Sequence, residues 1–307
     1  MKAITYSEFG SGDVFTLSDI DEPHIGPDTV VVEVKAASIN PVDYKIREGY
    51  LAQIMDAHFP VVPGWDVAGV IIQAGLDTPG FEVGDEIYAY ARKDVLRGGT
   101  LAERVAVPGR TAAHKPRTAS FEEAAAVPLA GLTALQTVRR AGVSAGQSVL
   151  IHGAAGGVGS FGVQLAVHAG ARVVGTASAA NHDYLKELGA TGVEYGDGLT
   201  ERALEIQPGG FDVVLDYAGG DSLNDTTNLL AEGGTVVSVA DPRAASEFGG
   251  QYAWVNPDSA DLAELAALID EGVIKVEVAQ TYALEDTKAA YAALEGGHIR
   301  GKIVVTP

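Results

Sequence analysis

Hydrophobic and polar positions along this 307-residue chain follow one rhythm up to about residue 117 and another after it. In the first part, short runs rich in valine, isoleucine and tyrosine alternate with glycine and proline turns. Residues 2–6, 14–17, 30–37, 67–74, 86–91 and 101–107 read as strands. Gly10-Ser11-Gly12, Gly26-Pro27-Asp28, Thr78-Pro79-Gly80 and Gly98-Gly99 read as the turns between them. Many short strands punctuated in this way predict a small antiparallel barrel or sandwich. The texture then changes. Ser120 and Glu123 have the spacing of a capping box, opening a helix that Pro128 interrupts. A second helix runs over 129–140 and stops at Gly142. From residue 148 strands and helices alternate: strand 148–152, helix 157–169, strand 172–177, helix 181–188, strand 192–195, strand 211–217, helix 221–230 and strand 234–240. That order predicts a doubly wound parallel sheet. An amphipathic helix over 259–270 follows, and 273–307 returns to strand, helix, strand. The chain is therefore α/β, with a β-rich domain at 1–117 and 256–307 and a nucleotide-type domain at 118–255.

Composition narrows the function. A net charge of −20 opposes nucleic-acid backbones and anionic membranes, so an anionic cofactor must be held by local geometry. No apolar run is long enough to span a bilayer, and the first residues lack a basic-then-apolar leader. With no cysteine, neither disulfides nor thiolate metal sites are available. A cytoplasmic protein is the expectation.

The most informative stretch is residues 149–166, VLIHGAAGGVGSFGVQLA. The apolar run Val149-Leu150-Ile151 enters a turn with glycines at 153, 156, 157 and 159, and Val158, Phe161, Leu165 and Val167 can line a helix face behind it. Strand, glycine turn and helix together let backbone approach a pyrophosphate, which the helix N-terminus then attracts. Ala155, Gly156, Gly157 and Val158 are the candidate contacts. The G-x-G-x-x-G pattern is broken by Ala154 in its first glycine position, and an ordinary strand-to-helix turn is the alternative. About 20 residues on, where an NAD-binding fold places an acid for the ribose hydroxyl, stands Ala177. Without that acid a 2′-phosphate is not repelled, and Ser178, Asn181 and His182 can offer hydrogen bonds. Ser178 also suits a plain helix cap.

Four stretches resemble the zinc-independent quinone oxidoreductase branch of the medium-chain dehydrogenase/reductase superfamily: residues 38–49 (SINPVDYKIREG), residues 63–70 (PGWDVAGV), Gly131-Leu132-Thr133-Ala134 with the HGAAGGVG run, and the closing Arg300-Gly301-Lys302-Ile303-Val304-Val305. The resemblance implies a GroES-like catalytic domain, a Rossmann domain and NADPH as cofactor, with homodimers formed through the nucleotide domain. It adds Tyr195, Ala218 and Lys302 to the cofactor contacts, and Thr133, read as standing at a helix start, at the nicotinamide end. In the zinc-dependent relatives a cysteine and a histidine ligand fall where this chain has Asn40 and Trp65, neither a zinc ligand, and no metal is expected. A site without zinc must meet developing charge on a substrate oxygen with hydrogen-bond donors. Asn40, Tyr44 and Lys45 are the candidates, with a proton following from Lys45, Tyr44 or water. Asp43 and Asp66 read as braces. The expected activity is hydride transfer to a quinone or an α,β-unsaturated carbonyl; the alternative is an NADPH-binding protein without turnover.

Overall fold

The computed structural model describes residues 1–224 and 226–307. They form two units: 1–129 with 257–307, and 130–256. The first unit begins with β1 (Lys2–Thr5) and β2 (Thr16–Asp19), paired antiparallel with Ala3 opposite Ser18. A 3-10 turn at Gly12–Val14 occupies the start of the run read as strand 14–17, so the strand begins later. Then come β3 (Thr29–Ile39), α1 (Pro41–Arg47), β4 (Asp66–Ala74), β5 (Glu86–Tyr90), β6 (Arg104–Pro108), β7 (Ala112–His114) and α2 (Phe121–Ala125). The capping box of α2 forms as its spacing predicts, with Glu123 N donating to Ser120 Oγ at 3.1 Å and Ser120 N to Glu123 Oε2 at 2.8 Å. Because α2 packs on β3 and β4, residues 118–129 cluster with this unit rather than with the nucleotide fold.

The second unit carries most of α3 (Pro128–Arg140), followed by β8 (Ser148–His152), α4 (Gly159–His168), β9 (Arg172–Thr176), α5 (His182–Glu187), β10 (Thr191–Val193), α6 (Leu199–Ile206), β11 (Phe211–Asp216), α7 (Thr226–Leu229), β12 (Leu230–Ser238), α8 (Arg243–Ser246) and β13 (Gln251–Tyr252). The expected helix over 221–230 is instead a 3-10 turn at Gly220–Leu223 and the short α7, and Asp225 lies outside the described residues. The six strands pair in parallel in the order β10-β9-β8-β11-β12-β13. Leu150, Val174, Val214 and Val236, one from each of four strands, meet Phe211 and Leu223 in a fully buried core. Near-continuous apolar strands of this kind are what a sheet covered on both faces requires.

The chain then returns to the first unit through α9 (Ser259–Asp270), β14 (Val278–Ala283), α10 (Thr287–Gly296) and β15 (Lys302–Thr306). β15 pairs antiparallel with β3, setting Ile303 opposite Ile39, and completes the sheet β14-β15-β3-β4-β5-β7, with β6 also on β3. This pairing carries Lys302 to the end of β3, where α1 begins.

Candidate active site

In the second unit the strand order reverses direction at β8: β9 and β10 lie on one side, β11 to β13 on the other. Ligands of open parallel sheets bind outside the strand carboxyl ends at such a reversal. The glycine turn lies there. Gly153 has φ +68°, a conformation that a side chain disfavours, and Gly156 N bonds back to its carbonyl at 3.1 Å. Gly159 permits the return: a Cβ on it would lie 2.1 Å from Gly153 O and 2.6 Å from Ala154 Cα. α4 starts immediately, with Val158 as its N-cap and no side-chain cap; Ser160 N is taken by Gly156 O at 3.0 Å, so only the other N–H groups of the first turn are left for an anion.

The neighbouring strand ends converge on this turn. Thr176 Oγ1 accepts from Gly153 N at 3.1 Å and Thr176 O from Ala154 N at 3.1 Å. Ala177 is buried, whereas Ser178 and Asn181 are partly exposed and joined through Asn181 Nδ2 and Ser178 Oγ at 3.2 Å. Tyr195, just past β10, is exposed. Ala218, just past β11, lies with its Cβ 3.5 Å from the point where a Gly153 Cβ would be. The structure thus gathers Ala155, Gly156, Gly157, Val158, Ser178, Asn181, Tyr195 and Ala218 at the carboxyl ends of four adjacent strands. Thr133 is buried in the second turn of α3, not at a helix start, and its carbonyl accepts from Thr137 Oγ1 at 2.8 Å.

Sequence reasoning passed over Asp216. Its buried carboxylate accepts from Ala218 N, Gly219 N, Ser222 Oγ and Ser238 Oγ at 2.6–3.1 Å, fixing the loop that presents Ala218. The signal was present: an acid ending an apolar strand, followed within a few residues by Gly219-Gly220.

In the first unit, the end of β3 meets β4 and β15 in a buried polar cluster. Asn40 starts α1 with its backbone N–H on Asp43 Oδ2 at 2.7 Å, and its side-chain Nδ2 donates to Asp66 Oδ2 at 2.8 Å. Asn40 Oδ1 accepts from the Lys302 ammonium, which also reaches Ile39 O at 3.0 Å and lies 3.9 Å from Asp66 Oδ2. Asp66 Oδ1 takes Leu129 N at 2.9 Å. Burial pushes the Asp43 carboxyl up to about 7, against its backbone hydrogen bond from Asn40. It raises Asp66 to about 6, against Lys302, and lowers the Lys302 ammonium. Asp43 and Asp66 are therefore held as braces. Lys302, read from sequence as a cofactor contact, spends its ammonium on Ile39 and Asn40.

Tyr44 and Lys45 follow on α1. Tyr44 is partly exposed, its phenol raised by burial and by the Glu295 and Glu48 carboxylates; Lys45 is exposed. Trp65 is buried edge-on to Tyr90 at 5.9 Å between ring centres.

A β domain built around an eleven-residue central strand, interrupted by a dinucleotide-type parallel sheet, defines a two-part dehydrogenase architecture. The comparisons agree. Residues 26–117 match the alcohol dehydrogenase GroES-like domain, and 188–305 match the zinc-binding dehydrogenase family. A 2-methylene-furan-3-one reductase of Solanum lycopersicum is 37% identical over 317 residues, covering 100% of this chain and 79% of that protein. An NADPH-dependent alkenal/one oxidoreductase of Arabidopsis thaliana, described as chloroplastic, is 36% identical, covering 100% and 80%. The solved structure of the quinone oxidoreductase from Coxiella burnetii superposes with a TM-score of 0.90 at 33% identity, covering 100% and 99%. The chain belongs to the medium-chain dehydrogenase/reductase superfamily, in its quinone oxidoreductase branch.

The zinc in one family description does not fit this chain's residues. Asn40 has its amide committed to Asp66 and Lys302, Trp65 offers no ligand atom, and no group of three or more metal-binding side chains occurs among the described residues.

Proposed function

We propose that this chain is an NADPH-dependent reductase of quinones or α,β-unsaturated carbonyls. The observation that carries the reading is the glycine turn with an uncapped helix start, beside a strand end that has no carboxylate. Two arms of the cofactor have counterparts there. The remaining N–H groups in the first turn of α4 meet the pyrophosphate, with Ala155, Gly156, Gly157 and Val158 forming its bed. Ser178 and Asn181 offer hydrogen bonds to the 2′-phosphate, Tyr195 stands exposed nearby, and Ala177 raises no charge against it. Thr133 and Ala218 complete the cofactor contacts. When bound, NADPH supplies a hydride to the electron-poor carbon of the substrate.

The residues of α1 then act on the substrate oxygen. Tyr44 keeps its proton at neutral pH and can donate a hydrogen bond; Lys45 adds a positive charge and a proton. Asn40 retains one amide hydrogen beyond the bond to Asp66 and is held by Lys302, which we assign as its positioning residue. The relatives' printed activities, an alkenal/one oxidoreductase and a furanone reductase, support the enone as substrate class.

The test is NADPH oxidation against a small panel of quinones and enones, with and without chelator, in wild type and Lys45→Met. Turnover that survives chelation is expected. The lysine variant should lose more on enones than on quinones, because an enone α-carbon needs a positioned proton whereas a reduced quinone takes protons from water at oxygen. NADPH binding with no oxidation on any substrate would instead identify a binding protein without turnover. Equal loss on both classes would make Lys45 a binding residue.

Two coarser proposals accompany this one. A homodimer through the second unit is supported by β13, an edge strand that ends in Tyr252 with Trp254 two residues beyond, at 37% and 41% exposure; light scattering on the purified chain tests it. A cytoplasmic location is supported by the lack of cysteine; no helix among the described residues is long and apolar enough to cross a membrane.

A further inference from the structure

At the carboxyl end of β10 the second unit makes a short loop that one side chain holds closed. β10 pairs in parallel with β9, Val193 opposite Thr176, and two residues further along each chain stand Tyr195 and Ser178. Tyr195 therefore leaves the sheet beside Ser178. The loop continues through Gly196, Asp197 and Gly198 into α6, with φ of +86° at Gly196 and +77° at Gly198. Arg202, in the first turn of α6, reaches back to it. Its Nη1 donates to Asp197 O and its Nη2 to Glu194 O, each at 2.8 Å, and Nη2 also stands 3.5 Å from Tyr195 O and Gly196 O. Gly198 leaves room for this fork, since a Cβ there would lie 2.8 Å from Nη1.

The helix itself gains nothing from an arginine at this position. A cation in the first turn faces the positive end of the macrodipole and weakens the helix. Arg202 Nε is buried without a hydrogen-bond partner among the described residues, a cost that a side chain turned to solvent would avoid. What offsets both is the planar guanidinium, whose fixed fork bridges the carbonyls of Glu194 and Asp197. No ion pair engages Arg202 among the described residues, so its charge meets carbonyl dipoles rather than a carboxylate. It is also the only lysine or arginine between Lys186 and Arg243, in a chain of net charge −20. His182, a hydrogen-bonding candidate from sequence, is turned onto β10: a Cβ on Gly192 would lie 2.7 Å from its ring Cδ2, and its Nε2 is buried.

We propose that Arg202 is a positioning residue for cofactor choice, locking the 194–198 loop so that Tyr195 stands with Ser178 and Asn181 against the 2′-phosphate of NADPH. This inference rests on the NADPH reading of the site. At 54% exposure Tyr195 is not held by packing, so its direction is set by its backbone. Among the described residues, Arg202 is the one side chain that hydrogen-bonds to that stretch of backbone. The 2′-phosphate is the one group that NADPH has and NADH lacks, so loss of the lock falls on NADPH and spares NADH.

The experiment titrates the full chain with NADPH and with NADH by fluorescence, in wild type, Arg202→Gln and Arg202→Lys, and follows hydrogen exchange without cofactor. Arg202→Gln should weaken NADPH binding about tenfold, the worth of one hydrogen bond to a charged group, and leave NADH within about twofold. Arg202→Lys keeps the charge but not the fork, and should recover little of that loss. Amide exchange at 194–198 should quicken in both variants while β11 exchanges as in wild type. Equal weakening of the two cofactors, full recovery by lysine, or unchanged exchange in the loop would each overturn the proposal. If wild type prefers NADPH and the variants keep that preference, Arg202 alone is misassigned. If wild type binds NADH as tightly as NADPH, the cofactor reading fails and takes this inference with it. Should Arg202→Gln fold poorly, Arg202→Lys carries the same comparison.

Discussion

Adding one methyl group at two positions of the glycine turn should separate its role in folding from its role in binding. At Gly159 the added Cβ meets backbone, Gly153 O at 2.1 Å and Ala154 Cα at 2.6 Å, where ordinary contact begins at 3.4 Å. Neither neighbour is a flexible side chain, so the turn itself must open. Overpacking a rigid site costs roughly 1–3 kcal/mol, and a backbone clash this close belongs at the upper end. Gly159→Ala should therefore lose about 3 kcal/mol, a fall in Tm of about 5 °C for a chain of this length. At Gly156 the one contact is Gly153 O at 3.3 Å, tight but tolerable, and φ is not positive. Gly156→Ala should keep its Tm within about 2 °C while placing a methyl where the pyrophosphate approaches. Its NADPH affinity should fall at least tenfold, about 1.4 kcal/mol. Thermal melts without cofactor and fluorescence titration with NADPH read the two effects separately. A Gly159→Ala protein as stable as wild type would refute the packing argument. An unchanged dissociation constant in Gly156→Ala would remove the pyrophosphate from this turn.

Further expectations concern specificity and the buried cluster. Sequence alone names Ala177 as the place for an introduced acid, but Ala177 is buried, so Ser178→Asp is the cleaner change. It should move the NADPH-to-NADH preference toward NADH by about tenfold in dissociation constants, and no shift would mean that Ser178 does not face the ribose. Asn40→Ala should lower turnover and also stability, by about 2–3 kcal/mol in urea melts, because Lys302 and Asp66 each lose a buried partner. The sequence by itself suggests that this substitution spares the fold. Asp43, raised to about 7, binds its proton more tightly folded than unfolded, so its stabilising contribution is present at acid pH and lost as pH rises toward 7. Wild type should then lose stability relative to Asp43→Asn between pH 5 and 8, and a gap that stays constant would show that Asp43 titrates normally.

Much of this could be read before the structure. The strand at Ser148–His152 and the helix at Ser259–Asp270 have the bounds their patterns predict, since a buried apolar run and a clear amphipathic period each carry their own signal. α6 was passed over because it is only eight residues long, about two turns of helix between glycine-rich turns, although its apolar residues do fall on one face. The residue types of the site were legible as motifs. Their occupations were not, because Asn40 is 26 residues from Asp66 and 262 from Lys302. The pairing of β4 with β3 brings Asp66 to Asn40 and that of β15 with β3 brings Lys302, and a local pattern cannot report a long-range register.

The pairing of β15 with β3 also orders events on the ribosome. The second unit draws its contacts from one continuous stretch, 130–256, and can close while synthesis continues. The first unit cannot, because the segment of β3 at residues 37–39 has no partner on one side until residues 303–305 emerge. For the time needed to translate the intervening residues, a strand containing Ile39 presents unpaired N–H and C=O groups to the cell. Nascent chains of this protein should therefore need chaperone cover on the unit made first, not on the one made second. A circular permutant that begins near residue 257 and joins the present ends would remove that delay.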